Sequence, residues 1–534
     1  MTRSIVVAGN PPMTSEGWRG RRLAVGALAM LALAGPAAGE QPDPWYEVRT
    51  PAVVVSGNVS PDDLRFALQD LQAFRSALPA VYPEFTAETA TPTHVVVFRD
   101  SRQFVRVLPH DEHGQPLPHV AGFFFPGPAT DFIAVGRTGK AFDRRAILHE
   151  YAHRMLSRRS NMLPLWLNEG LAEFFSTLDR GAGELPAVIG RPPLEALAEL
   201  RGGEFVPLTR IVSARPSSKF LGDVDQVRMF YAESWALVHY LLIGRPGASN
   251  AGLMAFLDAL ERHADPEEAL KSAFGLTLRQ LDNALRAYIR QPEFRGLPVG
   301  RVAAGAEVPA VEMSAAAVHA LFGDLLLRAG TLNEAQRELA DALAAEPANL
   351  AARVAMARVA LATGAGDEGR AALRRLAEQF PDDFAVRYFL GGALALGRDY
   401  GGAFVSFDAA VRLRPGSVYA LFAFSSAALA LGLDDASEAA MRLLMAIDFK
   451  PEAYRTRAYS AFGLGRDAAA ATDARRYIDA VGWHDPSAQA IALVAAVACL
   501  RSNRPADAAA LLQQVQAAAP PSTWNGAIAQ FLDR

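Results

Sequence analysis

Two hydrophobic rhythms divide this chain. Between Trp45 and about Asp143 the apolar residues come in short β-branched runs, AVVVSG and THVVVF, separated by a helical stretch from Pro61 to Leu78. GFFFPGPATDFIAVG continues as two more strands around a Pro and Gly turn at Pro126 to Pro128. From Phe142 to about Arg290 the spacing turns helical and closes on FGLTLRQLDNALRAYIR, where Leu278, Leu281, Leu285 and Ile289 share one face. The pattern predicts a small mixed sheet with a packed helix over residues 40–141 and a mainly helical part over 142–295. Residues 296–314 carry neither period and read as a linker.

Beyond the linker the composition becomes rich in Ala and Leu, and a longer period appears. Pro347, Pro381, Pro415, Pro451, Pro486 and Pro520 recur at intervals of 34, 34, 36, 35 and 34 residues, and Gly330, Gly364, Gly397, Gly432 and Gly465 mark a turn inside each unit. That is the period of a helix-turn-helix solenoid, in which each unit buries its apolar face only by stacking on its neighbours. Gly391, Ala403, Phe407, Ala410 and Pro415 in one unit, and Gly323, Ala335, Ala342 and Pro347 in another, resemble the tetratricopeptide repeat. The resemblance implies an all-α solenoid of about six units over 315–534, the last two degenerate, that binds a protein partner. An Ala-rich helical bundle without true repeats is the other reading.

With 534 residues the chain exceeds one ordinary core, and about three domains are expected. Lys and Arg (53) nearly balance Asp and Glu (57), so the net charge of -4 leaves no electrostatic footprint for nucleic acid or an anionic membrane. Arg19, Arg21 and Arg22 precede an apolar run from Leu23 to Ala34, followed by Pro36 and small residues. This order reads as a secretory signal over residues 1–39, cleaved after Gly39, in a run too short to span a bilayer. Met13 is an alternative start, and an uncleaved anchor is the alternative to cleavage. The single cysteine, Cys499, permits no intramolecular disulfide, and an exported chain without disulfides fits a bacterial periplasm, with secretion to the outside also open. No membrane span is expected in the mature chain.

The candidate chemistry sits in AILHEYAHRML, where His149, Glu150 and His153 form H-E-x-x-H. On a helix the two histidines lie one turn apart on one face, so both imidazoles can reach one metal ion, with Glu150 beside it as base. Catalytic zinc takes three protein ligands and keeps a fourth position open. LPLWLNEGLAEFFS supplies a third: Pro164 is placed to open a helix, Glu169 and Glu173 share one face, and the 15 residues from 154 to 168 suffice for a turn and return. Glu173 as ligand with Glu169 in support is the alternative. A solvated helix face is the bland reading of both motifs, weakened by the apolar neighbours Trp166, Leu167, Leu171, Phe174 and Phe175.

HEYAH followed by WLNEG resembles the gluzincins, the clan of thermolysin and the aminopeptidase N type enzymes, over roughly residues 44–292. The short gap is closer to the smaller peptidase MA-like members. The resemblance implies an α+β zincin-like catalytic domain, one Zn2+ per chain on His149, His153 and Glu169, and a supporting hydrogen bond from a zinc-binding His to Glu173. MFYAESWALVHYLL is similar to the segment of aminopeptidase N type enzymes whose Tyr steadies the oxyanion, which implies that role for Tyr231 at the start of a helix; Tyr240 is a weaker candidate. A buried core tyrosine is the alternative.

One departure limits the likeness. VAGFFFPGPATDF has no counterpart of the acidic G-x-M-E-N strand that holds a substrate amine, so an endopeptidase is favoured over an aminopeptidase. The strand from Gly122 to Phe125 instead offers an edge to an extended peptide, its aromatics lining side-chain pockets or simply filling the core. The expected function is an exported zinc metallopeptidase acting on a protein or peptide. The competing expectation is a repeat scaffold with a structural or vestigial zinc site. Cys499 is expected to be inert, in a helix of the repeats.

Overall fold

The structure is a computed structural model. It describes residues 3–6, 43–81, 90–110, 120–136, 144–156, 163–181, 186–215, 218–261, 265–302, 308–447, 451–483 and 485–518. The expected signal therefore lies outside the described residues except for Arg3–Val6, as does Pro520.

The β-branched runs build one mixed sheet. Its strands are β1 (Arg3–Val6), β2 (Tyr46–Arg49), β3 (Val53–Gly57), β4 (Thr93–Phe98), β5 (Val120–Phe125) and β6 (Asp131–Gly136), with helices α1 (Pro61–Val81) and α2 (Ser101–Arg106) between them. A short strand from Val311 to Glu312 completes the order β1-β5-β6-β4-β3-β2 and then this strand. The centre is parallel, β3 to β4 to β6, while β5 runs antiparallel to β6 through the predicted turn. Strand β2 escaped the sequence reading.

Alternation along these strands sends residues to opposite faces. Val53, Val55, Val95, Val97, Phe124, Ile133 and Val135 enter a core with α1 and the helices that follow. Val96, Phe98, Phe123, Phe125, Phe132 and Ala134 enter a second core on the other face. The phenylalanines proposed as pocket walls are core: Phe123, Phe124 and Phe125 are all buried, on both sides of the sheet. An apolar strand in the centre of a three-layer stack needs both faces covered.

The helical part supplies one cover. It contains α3 (Arg144–Leu156), α4 (Leu165–Ser176), the two-residue strand β7 (Val188–Ile189), α5 (Leu194–Gly202), α6 (Leu208–Val212), α7 (Val224–His239), α8 (Asn250–Glu261), α9 (Pro266–Phe274) and α10 (Leu278–Ile289). Every residue of α3 from Ala146 to Leu156 is buried. A helix covered on all sides is a core element. Asp70 of α1 holds its first turn through Arg144 and also pairs with Arg180 at 2.9 Å. No helix among the described residues is long and apolar enough to cross a membrane.

The segment read as a linker is tied down on both sides. β8 (Leu297–Pro298) pairs with β7, and β9 (Val311–Glu312) pairs with β2. Two-residue strands leave no periodic signal, which is why the sequence read as linker. Among the described residues six helix pairs follow: α11 (Ala315–Ala329) with α12 (Leu332–Ala345), α13 (Leu350–Ala362) with α14 (Gly366–Gln379), α15 (Phe384–Leu396) with α16 (Tyr400–Leu413), α17 (Val418–Leu431) with α18 (Asp434–Ile447), α19 (Pro451–Gly463) with α20 (Asp467–Val481), and α21 (Pro486–Arg501) with α22 (Pro505–Ala518). This is the tetratricopeptide-repeat solenoid. A Cβ at Gly391 would stand 2.6 Å from the Phe407 ring, so only glycine lets α15 and α16 pack this closely. Gly432 takes φ 76° at its turn, whereas in the third unit Arg398, not Gly397, adopts the left-handed conformation at φ 61°. Cys499 is buried in α21.

The other cover of the sheet is the first repeat. Ala320, Leu321, Phe322, Leu325 and Leu326 of α11 join the core that holds Phe98, Phe123 and Phe125. Trp45 stands edge-on to Phe98 at 5.6 Å and to Phe322 at 5.5 Å. Arg106 of α2 reaches across to Glu338 of α12 at 2.6 Å.

Candidate metal centre

The site is assembled by α3, α4 and α7. His149 and His153 lie one turn apart on α3, their Nε2 atoms 2.9 Å from each other. Glu169 Oε2, from α4, is 3.5 Å from His149 Nε2 and 3.3 Å from His153 Nε2. These are the three residues that could hold a metal ion among the described residues, and all three are buried. Bonds of about 2.0–2.1 Å at tetrahedral angles place neighbouring ligand atoms roughly 3.3 Å apart. The triangle found here has that size.

The chemistry of the donors agrees with the spacing. Glu169 Oε2 is buried with no hydrogen-bond partner, although two ring nitrogens face it. Three electron-rich atoms pointed at one volume need a shared cation or protons between them. Burial opposes protonation of His149, but its contacts with Glu169 and Glu173 outweigh burial and raise its pKa to about 10. Burial likewise opposes ionisation of Glu169, and the facing His153 and His149 reverse this, lowering it to about 2.

Glu173 stands behind the triangle. Its Oε1 is 3.3 Å from His149 Nδ1, and its Oε2 accepts a 2.8 Å hydrogen bond from Arg145. A carboxylate on the far nitrogen fixes which ring nitrogen is free to bind. Of the two carboxylates, Glu169 faces both histidine rings and Glu173 stands behind His149 alone. Arg145, one turn before His149, was missed by the sequence reading; its place in the helical i, i+4 row was the available signal.

Glu150 is fully buried beside the triangle and packs against β5. A Cβ on Gly122 would stand 3.0 Å from Glu150 Cγ, so the bare backbone of β5 makes room for this side chain. Gly122 is a second missed residue; an isolated glycine inside an apolar strand often marks such a close approach.

Tyr231 lies on α7, which the Asp223 carboxylate caps by accepting from the N–H groups of Asp225 and Gln226. The residue is two turns inside the helix, not at its start. Its ring centroid is 6.3 Å from that of His149. Gly170, next to Glu169, permits this: a Cβ there would collide with the Ser234 carbonyl oxygen, so α7 lies directly on α4. Tyr240 belongs to a five-residue π turn after α7, and its ring packs on Tyr288 at 5.3 Å, away from the triangle.

Comparison with known proteins places two kinds of likeness along the chain. The tetratricopeptide repeat family matches residues 326–391 and 455–523. A family described as a protein of unknown function (DUF1570) matches residues 145–259, which span His149, His153, Glu150, Glu169, Glu173 and Tyr231. No curated protein matches the chain. Among solved structures, a tetratricopeptide repeat protein from Parabacteroides merdae is 16% identical and covers 53% of this chain and 98% of its own, at a TM-score of 0.29. PilW, a type IV pilus biogenesis factor, is 18% identical over 41% of this chain and 99% of its own (TM-score 0.33), and Pseudomonas aeruginosa PilF is 16% identical over 40% and 97% (TM-score 0.31).

Proposed function

We propose that this chain is an exported zinc-dependent hydrolase of gluzincin type that cleaves peptide bonds in a protein or peptide, with the repeats contacting a protein partner. One observation carries the reading: His149, His153 and Glu169 converge from two helices at 2.9–3.5 Å, with the buried Glu150 alongside. A zinc ion held by these three side chains would polarise a carbonyl and acidify a water.

The protein's own groups then have separate tasks. Glu150 takes the proton of the attacking water and returns it to the leaving nitrogen. Glu173, anchored by Arg145, keeps the His149 ring in one tautomer. Tyr231, beside His149, donates a hydrogen bond as negative charge grows on the carbonyl oxygen. Removal of residues 1–39 on export to the periplasm takes β1 away and leaves β5 as the sheet edge next to α3, where an extended peptide can pair.

A second reading is a non-catalytic repeat scaffold whose zinc site is structural or vestigial. The family matches speak for it more directly, because the repeats are the part with a described general role and the match over 145–259 carries none. Glu150→Gln separates the two. On the hydrolase reading, the purified variant keeps about one zinc per chain and loses casein hydrolysis by more than about 100-fold. Zinc retained with hydrolysis undiminished sinks the mechanism, and no zinc in the parent chain leaves the scaffold.

A further inference from the structure

The turn between β5 and β6 does not end in solvent. The first helices of successive repeat units, α11, α13, α15, α17, α19 and α21, touch one another along the stack, so they form its inner side. The turn lies across the start of that side. Ala129 packs against the cluster of Phe384, Ala410 and Ala420 of the third and fourth units. Its carbonyl accepts a 2.7 Å hydrogen bond from Arg414, whose guanidinium also lies 4.1 Å over the Phe384 ring. At the other end, Arg328 of α11 covers the Phe132 ring at 4.7 Å and presses on Gly127, where any Cβ would collide with it. The loop at Gly416 closes against Ala90, just before β4.

The same turn is fastened from below to the metal-bearing helix. The Gly127 N–H donates to Asp131 Oδ1 at 3.0 Å, and Asp131 Oδ2 accepts from Arg154 Nε at 3.0 Å. Arg154 is the residue after His153 and also donates to the Thr91 carbonyl at 2.8 Å. Both Asp131 and Arg154 are buried. Breaking a buried, hydrogen-bonded ion pair costs far more than breaking an exposed one.

We infer that the first, third and fourth repeats, through α11, the starts of α15 and α17 and the end of α16, form a built-in receptor for the chain's own Pro126–Thr130 turn, and that this docking fixes the C-terminal end of α3 through Asp131 and Arg154. The repeats are then part of what holds the site in shape. A partner approaching the inner side of these units meets a seat already taken, and reaching it means releasing the turn, β5 and β6 together. Two arginines and a flat aromatic surface suit such an occupant, a Pro and Gly turn offering one small apolar side chain and one free carbonyl.

The inference does not depend on the hydrolase reading, and its test needs neither metal nor substrate. Backbone hydrogen exchange is followed in the full chain for a variant on the repeat side, Arg328→Ala with Arg414→Ala, and for one on the turn side, Ala129→Arg, which sets a cation against Arg414. Arg412→Ala, an exposed neighbour that pairs with Asp408, is the control. Both test variants are expected to exchange at least about tenfold faster over 120–136 and over the last turn of α3, with the repeat helices as protected as in the control. Unchanged protection of 120–136 in both variants would overturn the docking. Faster exchange there with α3 unaffected would overturn the coupling, and equal loosening of all repeat helices would reduce the contact to general packing. Absence of zinc from the parent protein would defeat the hydrolase reading while leaving these outcomes as they stand.

Discussion

His149 shows how much of the centre is written in single side chains. In the metal-free fold its pKa is raised to about 10, so at neutral pH the ring is protonated between Glu169 and Glu173. A metal ion takes the neutral imidazole, so binding must expel that proton. The sign follows: between neutral pH and about pH 10 the apparent zinc affinity rises with pH, by about tenfold per unit from the His149 proton. Calorimetric titration at pH 7 in two buffers of different ionisation enthalpy reads the released proton directly. Zinc bound with no proton released would place the ion elsewhere. At this scale the sequence was most readable, because the i, i+4 spacing of His149 and His153 fixes their relation on any helix. It could not rank Glu169 against Glu173, since both share one face of α4 and only the approach of α3 decides which faces both rings.

Among the elements, α7 carries a charge problem of its own. Glu233 is buried two residues from Tyr231, accepting a 3.1 Å hydrogen bond from the Val206 N–H. Burial pushes its pKa up to about 8, only partly offset by that hydrogen bond and by Arg286. An acid raised in the fold stays neutral there while the unfolded chain ionises near 4.5, so stability is greatest below that value and falls as pH rises toward about 8. The loss is at most roughly 4 kcal/mol over this window. Glu233→Gln keeps an acceptor for Val206 and removes the ionisation, so its melting temperature should exceed the parent's at pH 8 and match it near pH 4.5. Equal pH slopes for the two proteins would show that Glu233 is ionised in the fold. The sequence did not flag this residue, because a lone Glu in an apolar helix has no pattern until α7 meets the segment at Phe205 and Val206 that precedes α6. The strand runs β3, β4, β5 and β6 and the helix pairs of the repeats were legible, since each repeats a spacing over enough residues. Strand β2 and the two-residue strands β8 and β9 were not, being too short for a period to register.

On the scale of the whole molecule the sequence suggested parts joined by a linker, whereas the sheet is the middle layer of a three-layer stack. One face of it carries α1 and α3 and the other carries α11 and α12, with Trp45, Phe98 and Phe322 packed edge to face between them. Nothing in the period of a repeat announces what its first helix will cover. Deleting residues 315–534 therefore does not isolate a catalytic part. It bares Trp45, Phe98, Phe123, Phe125 and Phe132 together, and an apolar surface of that kind drives association. Residues 40–314 alone are expected to aggregate, while Phe322→Ala in the full chain should cost about 3–5 kcal/mol and lower the melting of the sheet and first repeat together. Scanning calorimetry of the full chain and light scattering of the truncated one decide this. A soluble monomer of residues 40–314 with a cooperative melt would restore the picture of separable domains, and would make repeat deletion a clean test of the scaffold reading. If instead the truncated chain aggregates, loss of function on deleting the repeats says nothing about partner binding, and only point substitutions such as Glu150→Gln can separate catalysis from scaffolding.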